Sequence, residues 1–348
     1  MKILYAIQGT GNGHLSRARD IIPVLMNIGE VDILISGTQA DIALPYPVKY
    51  QLKGLGFIFG KKGGVDLWQT FLQNNFKRII KEINQVPVEL YDIVINDFEP
   101  VSAWACYFKR KPCIALSHQC AVLSCKAPLP RHKDRIGKFI LKHYAPATAK
   151  YGFHFEKFND HTFTPVIRKQ VRELFVSNKG HYTVYLPAYG DKKIIRILSR
   201  FNYVKWEVFS KHNNKLYNYG NVLLRPINNE AFLESMASSE GVLCGAGFEA
   251  PAEALFLKKK LLVVPMENQY EQHCNAAALQ MLGVTVLKNL KKKQYKKIEN
   301  WLIEDVVISV NYPDNTQEII QTLINDHLMS NLDTINRALL GSVDPSID

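Results

Sequence analysis

At 348 residues with 47% apolar side chains, the chain exceeds one typical domain and can fill two full cores. Its formal net charge of +11 favours polyanionic partners in general, yet none of the standard nucleic-acid motifs is present, so no nucleic-acid partner is expected. No apolar run reaches the ~18 residues needed to span a bilayer, and Met1 leads directly into a core-like strand rather than a secretory signal.

Short β-branched runs alternate with helical segments along the chain, the pattern of parallel α/β sheets. In the first half Lys2 to Ile7, Val31 to Ser36, Ile93 to Asn96 and Cys113 to Leu116 read as strands. Leu15 to Ile28, Leu67 to Ile83 and Pro100 to Phe108 read as helices between them. Gln8 to His14, QGTGNGH, joins the first strand to the first helix. Its glycines allow a sharp turn and close approach to a ligand, although the spacing is not the GxGxxG dinucleotide fingerprint. Gly11, Asn12 and Gly13 are the candidate phosphate or acceptor loop. His14 stands at the strand-to-helix junction, where an imidazole can enter a cleft and take a proton near neutral pH, or can simply cap the helix.

Asp97 follows its strand directly and should emerge at the same sheet edge as His14, where a carboxylate can hold the second ring nitrogen of a base. Helix capping before Pro100 is its alternative. Glu99 and His118, also at strand ends, are candidates for the acceptor side, and a structural role fits His118 equally well. Gly54 to Gly64, with five glycines and two lysines, reads as a mobile loop over a site.

Positive charge concentrates in two segments. From Lys126 to Lys150, Lys126, Arg131, Lys133, Arg135, Lys138, Lys142 and Lys150 face one acid, Asp134, with Ile136, Phe139 and Ile140 at helical spacing. This reads as a basic amphipathic helix at a membrane surface or as an ordinary surface helix. Lys288 to Lys297 reads as a solvated helix face. Cys106, Cys113, Cys120, Cys125, Cys244 and Cys274 lack the paired spacings of a zinc site, so reduced thiols in a cytoplasmic protein are expected and no metal is assigned.

The alternation weakens between Phe153 and Lys179 and restarts with His181 to Leu186, a helix after Asp191, and Val222 to Leu224. Two domains are therefore expected, residues 1–165 and 178–330, with a C-terminal helix over residues 331–348 packing back on the first. The most informative stretch is Val242 to Ala276, a β-α-β-α unit with polar groups at its strand ends. Ligands of open parallel sheets bind there, and free backbone N–H groups of helix N-termini suit a phosphate.

QGTGNGH in the first half, with GFEAPAEAL and EQHCNA in the second, resembles the GT-B glycosyltransferases, in particular the MurG-like and UDP-glycosyltransferase branch. The resemblance covers nearly the whole chain and rests mainly on the second motif. It implies two Rossmann-like α/β domains with parallel sheets facing across a cleft. It also implies a nucleotide sugar, most simply a UDP-sugar, as donor substrate rather than cofactor. Glu253, six positions after Gly247, would hold the ribose hydroxyls, and Glu271 and Gln272 the donor sugar. Gly245, Ala246, Gly247 and Phe248 would form the phosphate turn. Gly245 departs from the family, which often keeps a His or Arg there, so phosphate would rely on backbone N–H groups, helix dipoles or a cation from elsewhere.

The implied reaction is inverting, metal-independent transfer of a hexosyl group, with His14 as base. The basic segment suggests a lipid-linked or envelope-glycan acceptor at the inner membrane face. A UDP-N-acetylglucosamine 2-epimerase-like isomerase and a non-catalytic nucleotide-sugar or anionic-lipid binder are the alternatives.

Overall fold

The computed structural model describes residues 1–37, 44–55, 75–130 and 134–340. The first half builds a seven-stranded sheet from β1 (Lys2–Gln8), β2 (Glu30–Ser36), β3 (Tyr50–Leu52), β4 (Ile93–Asp97), β5 (Ile114–Leu116), β6 (Ala149–Phe153) and β7 (Thr162–Phe163). Its order is β3-β2-β1-β4-β5-β6-β7, parallel throughout. The second half builds another from β8 (His181–Tyr185), β9 (Lys205–Ser210), β10 (Tyr217–Tyr219), β11 (Val222–Pro226), β12 (Gly241–Gly245), β13 (Lys260–Val264) and β14 (Thr285–Val286). That order is β10-β11-β9-β8-β12-β13-β14, parallel except for the β10–β11 pair.

Helices α1 (Asn12–Met26), α2 (Phe76–Gln85), α3 (Pro100–Phe108), α4 (His118–Val122), α5 (Arg135–Tyr144) and α6 (Lys169–Arg172) accompany the first sheet. With the second go α7 (Asp191–Leu198), α8 (Asn229–Ser238), α9 (Glu249–Phe256), α10 (Tyr270–Met281) and α11 (Tyr295–Ile303), and α12 (Thr316–Leu340) follows.

The strands are apolar on both faces because helices cover both faces. In β1, Ile3, Tyr5 and Ile7 enter one core cluster while Leu4 and Ala6 enter another. In β13, Leu261 and Val263 divide from Leu262 and Val264 in the same way. The largest cluster runs through both halves, joining Leu15, Ile21 and Phe155 to Phe248, Leu255 and Leu279. Each sheet reverses winding direction at one point, between β1 and β4 in the first and between β8 and β12 in the second. The crevices outside the carboxyl ends at these switch points are the natural ligand sites of the fold.

The first helix begins at Asn12, earlier than the expected Leu15, so His14 lies in its first turn. Of the helix expected over Leu67 to Ile83, residues 67–74 lie outside the described residues. So do residues 56–64 of the glycine-rich loop. The basic segment from Lys126 to Lys150 is not one helix: α5 occupies its middle and Lys150 sits in β6. Short strands such as β3 and β7 escaped the sequence reading because two or three residues carry no periodicity.

Helix α12 starts at Thr316, fifteen residues before the tail expected from 331. Its Ile319, Ile320, Leu323 and Ile324 are buried in the cluster that holds Leu15, Ala18 and Ile21 of α1, and Tyr151 Oη donates to Asp326 at 2.7 Å. No helix among the described residues is long and apolar enough to cross a membrane. Since Ile320 is fully buried, Ile320→Ala should cost about 2–5 kcal/mol through the cavity it leaves. A denaturant titration of the full chain measures this.

Candidate active site

The β1–α1 turn approaches β2 closely. A Cβ on Gly9 would lie 2.9 Å from Ile35 Cγ2 and 3.0 Å from the Ser36 carbonyl. Gly11 has φ of 94°, a conformation that glycine reaches without strain, and it starts α1 with no side-chain cap. His14 is thereby carried to the end of β4, the neighbouring strand across the switch point.

Its Nδ1 lies 2.8 Å from Asp97 Oδ1. With Nδ1–H donated to this carboxylate, Nε2 keeps the lone pair, 3.4 Å from Gln119 Nε2. Burial lowers the His14 pKa, but the charge and hydrogen bond of Asp97 outweigh it, and the net direction is up. For Asp97, burial raises the pKa, whereas the charges of Arg17 and then His14 pull it below the ordinary carboxylate value.

Arg17, one turn after His14, completes the pair. Its Nη2 donates to both Asp97 oxygens at 2.8 Å, Nη1 donates to Glu249 Oε1 of the opposite domain, and the guanidinium stands 5.2 Å from the Phe153 ring centroid. Sequence reading missed Arg17. The available signal was its i,i+3 spacing from His14, which puts both side chains on one helix face.

Asp97 and Glu99 separate at a strained corner. Phe98 adopts φ of 57°, held by Asn96, whose side chain accepts from Glu99 N at 3.0 Å and donates to Glu99 O at 2.7 Å. Glu99 was expected on the acceptor side, and the structure corrects this. Its oxygens accept from Val101 N and Ser102 N at 2.6 Å and from Ser36 Oγ at 2.5 Å, so it caps α3 and is fully buried.

His118 is likewise withdrawn from the cleft. It is 1% exposed, stacks on Phe248 at 3.9 Å, and lies 2.8 Å from the Phe153 carbonyl and 2.7 Å from Asn275 Oδ1. Burial pulls its pKa down to about 4, and the ring serves packing and hydrogen bonding between the domains.

Between the domains lies a cleft of about 1010 Å³, lined by Gly11, Asn12, Gly13 and Ser16 on one side and by Tyr185, Gly190, Gly247, Phe248, Glu249 and Glu253 on the other. Three helices open on it without a side-chain cap: α1 at Gly11, α7 at Gly190 and α9 at Phe248. Their first backbone N–H groups and dipoles favour an anion.

Gly245 leaves open space, since a Cβ there would meet nothing closer than Gln272 Oε1 at 3.8 Å. Cationic and imidazole groups reach the cleft from elsewhere, as Arg168, Lys211 and His212. Arg168 also changes the picture of Glu253. Its Nε and Nη2 donate to the two Glu253 oxygens at 2.5 and 2.8 Å, and Nη1 donates to Asn229 Oδ1 at 3.0 Å. Glu253 still lines the cleft, and each carboxylate oxygen has a further lone pair for a ligand hydroxyl.

Ala246 is buried, and its carbonyl accepts from Asn275 Nδ2. Glu271 Oε2 accepts from Gln119 Nε2 at 3.0 Å, so a single amide touches both His14 of the first domain and a second-domain carboxylate. Gln272 Oε1 accepts from Met266 N at 3.0 Å beside the cleft. Among the described residues no cluster of His, Cys, Asp or Glu could hold a metal ion.

Two mostly parallel α/β sheets of this winding, meeting with their switch-point crevices across a shared cleft, define the GT-B architecture. The chain belongs to glycosyl transferase family 1, whose sequence model matches residues 1–304, and glycosyl transfer is the class of its activity. Among solved structures it is similar to MurG of Acinetobacter baumannii (12% identity over 87% of this chain and 91% of that one, TM-score 0.52). It is also similar to UGT2 of Phytolacca americana complexed with UDP-2fluoro-glucose and pterostilbene (12%, 92% and 93%, 0.56). A UDP-N-acetylglucosamine 2-epimerase shares the fold as well (13%, 94% and 96%, 0.53). No curated protein sequence matches the chain.

Asp97→Ala should destabilise the protein by about 3–5 kcal/mol at pH 7, because the Arg17 guanidinium loses its buried counter-charge. The depressed Asp97 value contributes stability above the unfolded carboxyl pKa of about 4, and that stability is lost as pH falls through the lower folded value. The gap between wild type and variant in urea titrations should therefore narrow in acid.

Proposed function

We propose that the chain transfers a hexosyl group from a nucleotide sugar, a UDP-sugar, to an acceptor hydroxyl with inversion and without a metal ion. The observation that carries this reading is the convergence of three uncapped helix N-termini on one cleft beside the part-buried His14–Asp97 pair. The acceptor hydroxyl gives its proton to His14 Nε2 while its oxygen attacks the anomeric carbon. The bond from that carbon to the diphosphate breaks, and nucleoside diphosphate leaves with the electron pair. Asp97 keeps the imidazole in the right tautomer and balances the imidazolium that forms. Charge growing on the diphosphate falls to the N–H groups of Gly11 to Gly13 and Gly247 to Glu249, with Arg168 and Lys211 as cations and the His212 ring as a further polar group at the cleft. Glu253 serves the ribose, and Glu271 and Gln272 the sugar hydroxyls. The choice of uridine rests on likeness to UGT2, which was solved with UDP-2fluoro-glucose.

The test is a donor screen read by thermal stabilisation and by nucleoside diphosphate release with and without EDTA. The expected result is donor-dependent stabilisation, release that needs an acceptor and survives EDTA, and a loss of about 10²- to 10⁴-fold in His14→Ala with donor binding retained. Sugar-nucleotide conversion without an acceptor would instead establish an isomerase.

The acceptor is proposed to be lipid-linked, reached from the cytoplasmic membrane face by a peripheral contact. Helix α5 packs Leu141 against α10 and buries Tyr144, while Ile136 and Phe139, 63% and 64% exposed, stand among Arg135, Lys138 and Lys142. A basic residue near an anionic leaflet contributes about 1 kcal/mol. Replacing Arg135, Lys138 and Lys142 by Glu should abolish sedimentation with phosphatidylglycerol vesicles. Undiminished binding of this triple variant would overturn the contact.

A further inference from the structure

The Arg17–Glu249 ion pair joins the two domains beside the base, and the geometry of its surroundings gives it a purpose. Arg17 is 2% exposed and bound to both oxygens of a fully buried Asp97. Glu249 is the first residue of α9, at the turn that lines the cleft, and its side chain reaches across to Arg17. Gly13 permits that reach: a Cβ there would lie 2.9 Å from Glu249 Oε2, and the three atoms nearest to it all belong to this carboxylate.

We propose that Glu249 and Arg17 form a closure-dependent positioning device for the His14–Asp97 pair, which carries its full set of charges only when the α9 turn is seated on α1. The inference rests on the reading of His14 as the acceptor base. Arg17 stands between two carboxylates. With Glu249 in place its charge is shared, and Asp97 remains an effective anion toward His14. With Glu249 withdrawn, the guanidinium acts undivided on Asp97 and on His14 Nδ1, 3.2 Å away, and opposes a proton on the ring.

The other groups around the imidazole are fixed by their own elements. Asp97 comes from β4, Glu271 from α10 and His118 from α4, with the neutral Gln119 on Nε2. Tyr5 of β1 couples to Asp97 and Arg17 beneath them. Glu249 reaches this group from the α9 turn at the cleft and is 22% exposed at its side chain, so it can respond to what enters there.

The test needs no substrate. The ring carbon-proton signal of His14, identified by its disappearance in His14→Asn, is titrated by NMR in wild type, in Glu249→Gln, which keeps the shape and removes the charge, and in Gly13→Ala, which displaces the carboxylate and keeps the charge. Thermal unfolding verifies that each variant is folded. The expected result is a His14 midpoint at lower pH in both variants than in wild type. An unmoved midpoint in folded Glu249→Gln would overturn the proposal.

Where transfer is measurable, the acid limb of kcat/KM moves to lower pH in the same two variants. A rate loss with an unmoved limb would reduce Glu249 to packing and overturn the proposal equally. If the donor screen finds no transfer, the proposed function fails, yet the NMR shift still decides whether Glu249 sets the state of His14.

Discussion

A guanidinium that cannot lose its proton, placed where water does not reach, must be neutralised within the fold, and much of the site follows from that requirement at Arg17. Its buried position costs several kcal/mol unless carboxylates and an aromatic face meet it. Asp97, Glu249 and Phe153 do so from three different elements. The end of β4, the first turns of α1 and the start of α9 are therefore registered against one another by charge as well as by packing. The left-handed Phe98 serves the same end, turning Asp97 toward Arg17 while Glu99 turns away to cap α3.

The glycines around this centre have separate physical reasons. Gly9 lets β1 hand over to α1 against Ser36, Gly11 supplies a positive φ and leaves the helix uncapped, and Gly13 makes room for the Glu249 carboxylate. Gly245 differs from all three, because its surroundings would accept a side chain. Arg168 reaches the cleft from the connection between the sheets, and Lys211 and His212 reach it from the loop after β9. These side chains come from loops, while the Gly245 to Phe248 turn itself contributes backbone.

What could be read in advance divides along a physical line. The α/β rhythm, the two sheets and the His14–Asp97 encounter were legible because strand ends of a parallel sheet share an edge, so residues 83 positions apart can be placed together without knowing the structure. The same rule overreached at Glu99 and His118. Both stand at strand ends, but a strand end offers two destinations, the cleft and the cap or core of the following helix. Their hydrogen-bond partners, the Val101 and Ser102 amides for one and Phe153 and Asn275 for the other, decide the matter. Arg17 carried a faint local signal in its helical spacing from His14. Arg168 carried none, since its partner Glu253 lies 85 residues away in a different domain.

The contacts between domains are of two kinds, and the difference bears on how the cleft works. Phe248, stacked on His118 and tilted against Phe155, packs by its ring, whereas Arg17–Glu249, Gln119–Glu271 and His118–Asn275 are directional polar contacts. Glu249 also shares its helix turn with the N–H groups of Gly247 to Glu249 that open on the cleft. An anion held by that turn repels the adjacent carboxylate, and Arg17 is the cation placed to receive it. Occupancy of the turn and the ion pair across the cleft therefore favour the same placement of the domains. The side of the protein that would hold a donor is in this way coupled, through two side chains, to the imidazole that would meet an acceptor.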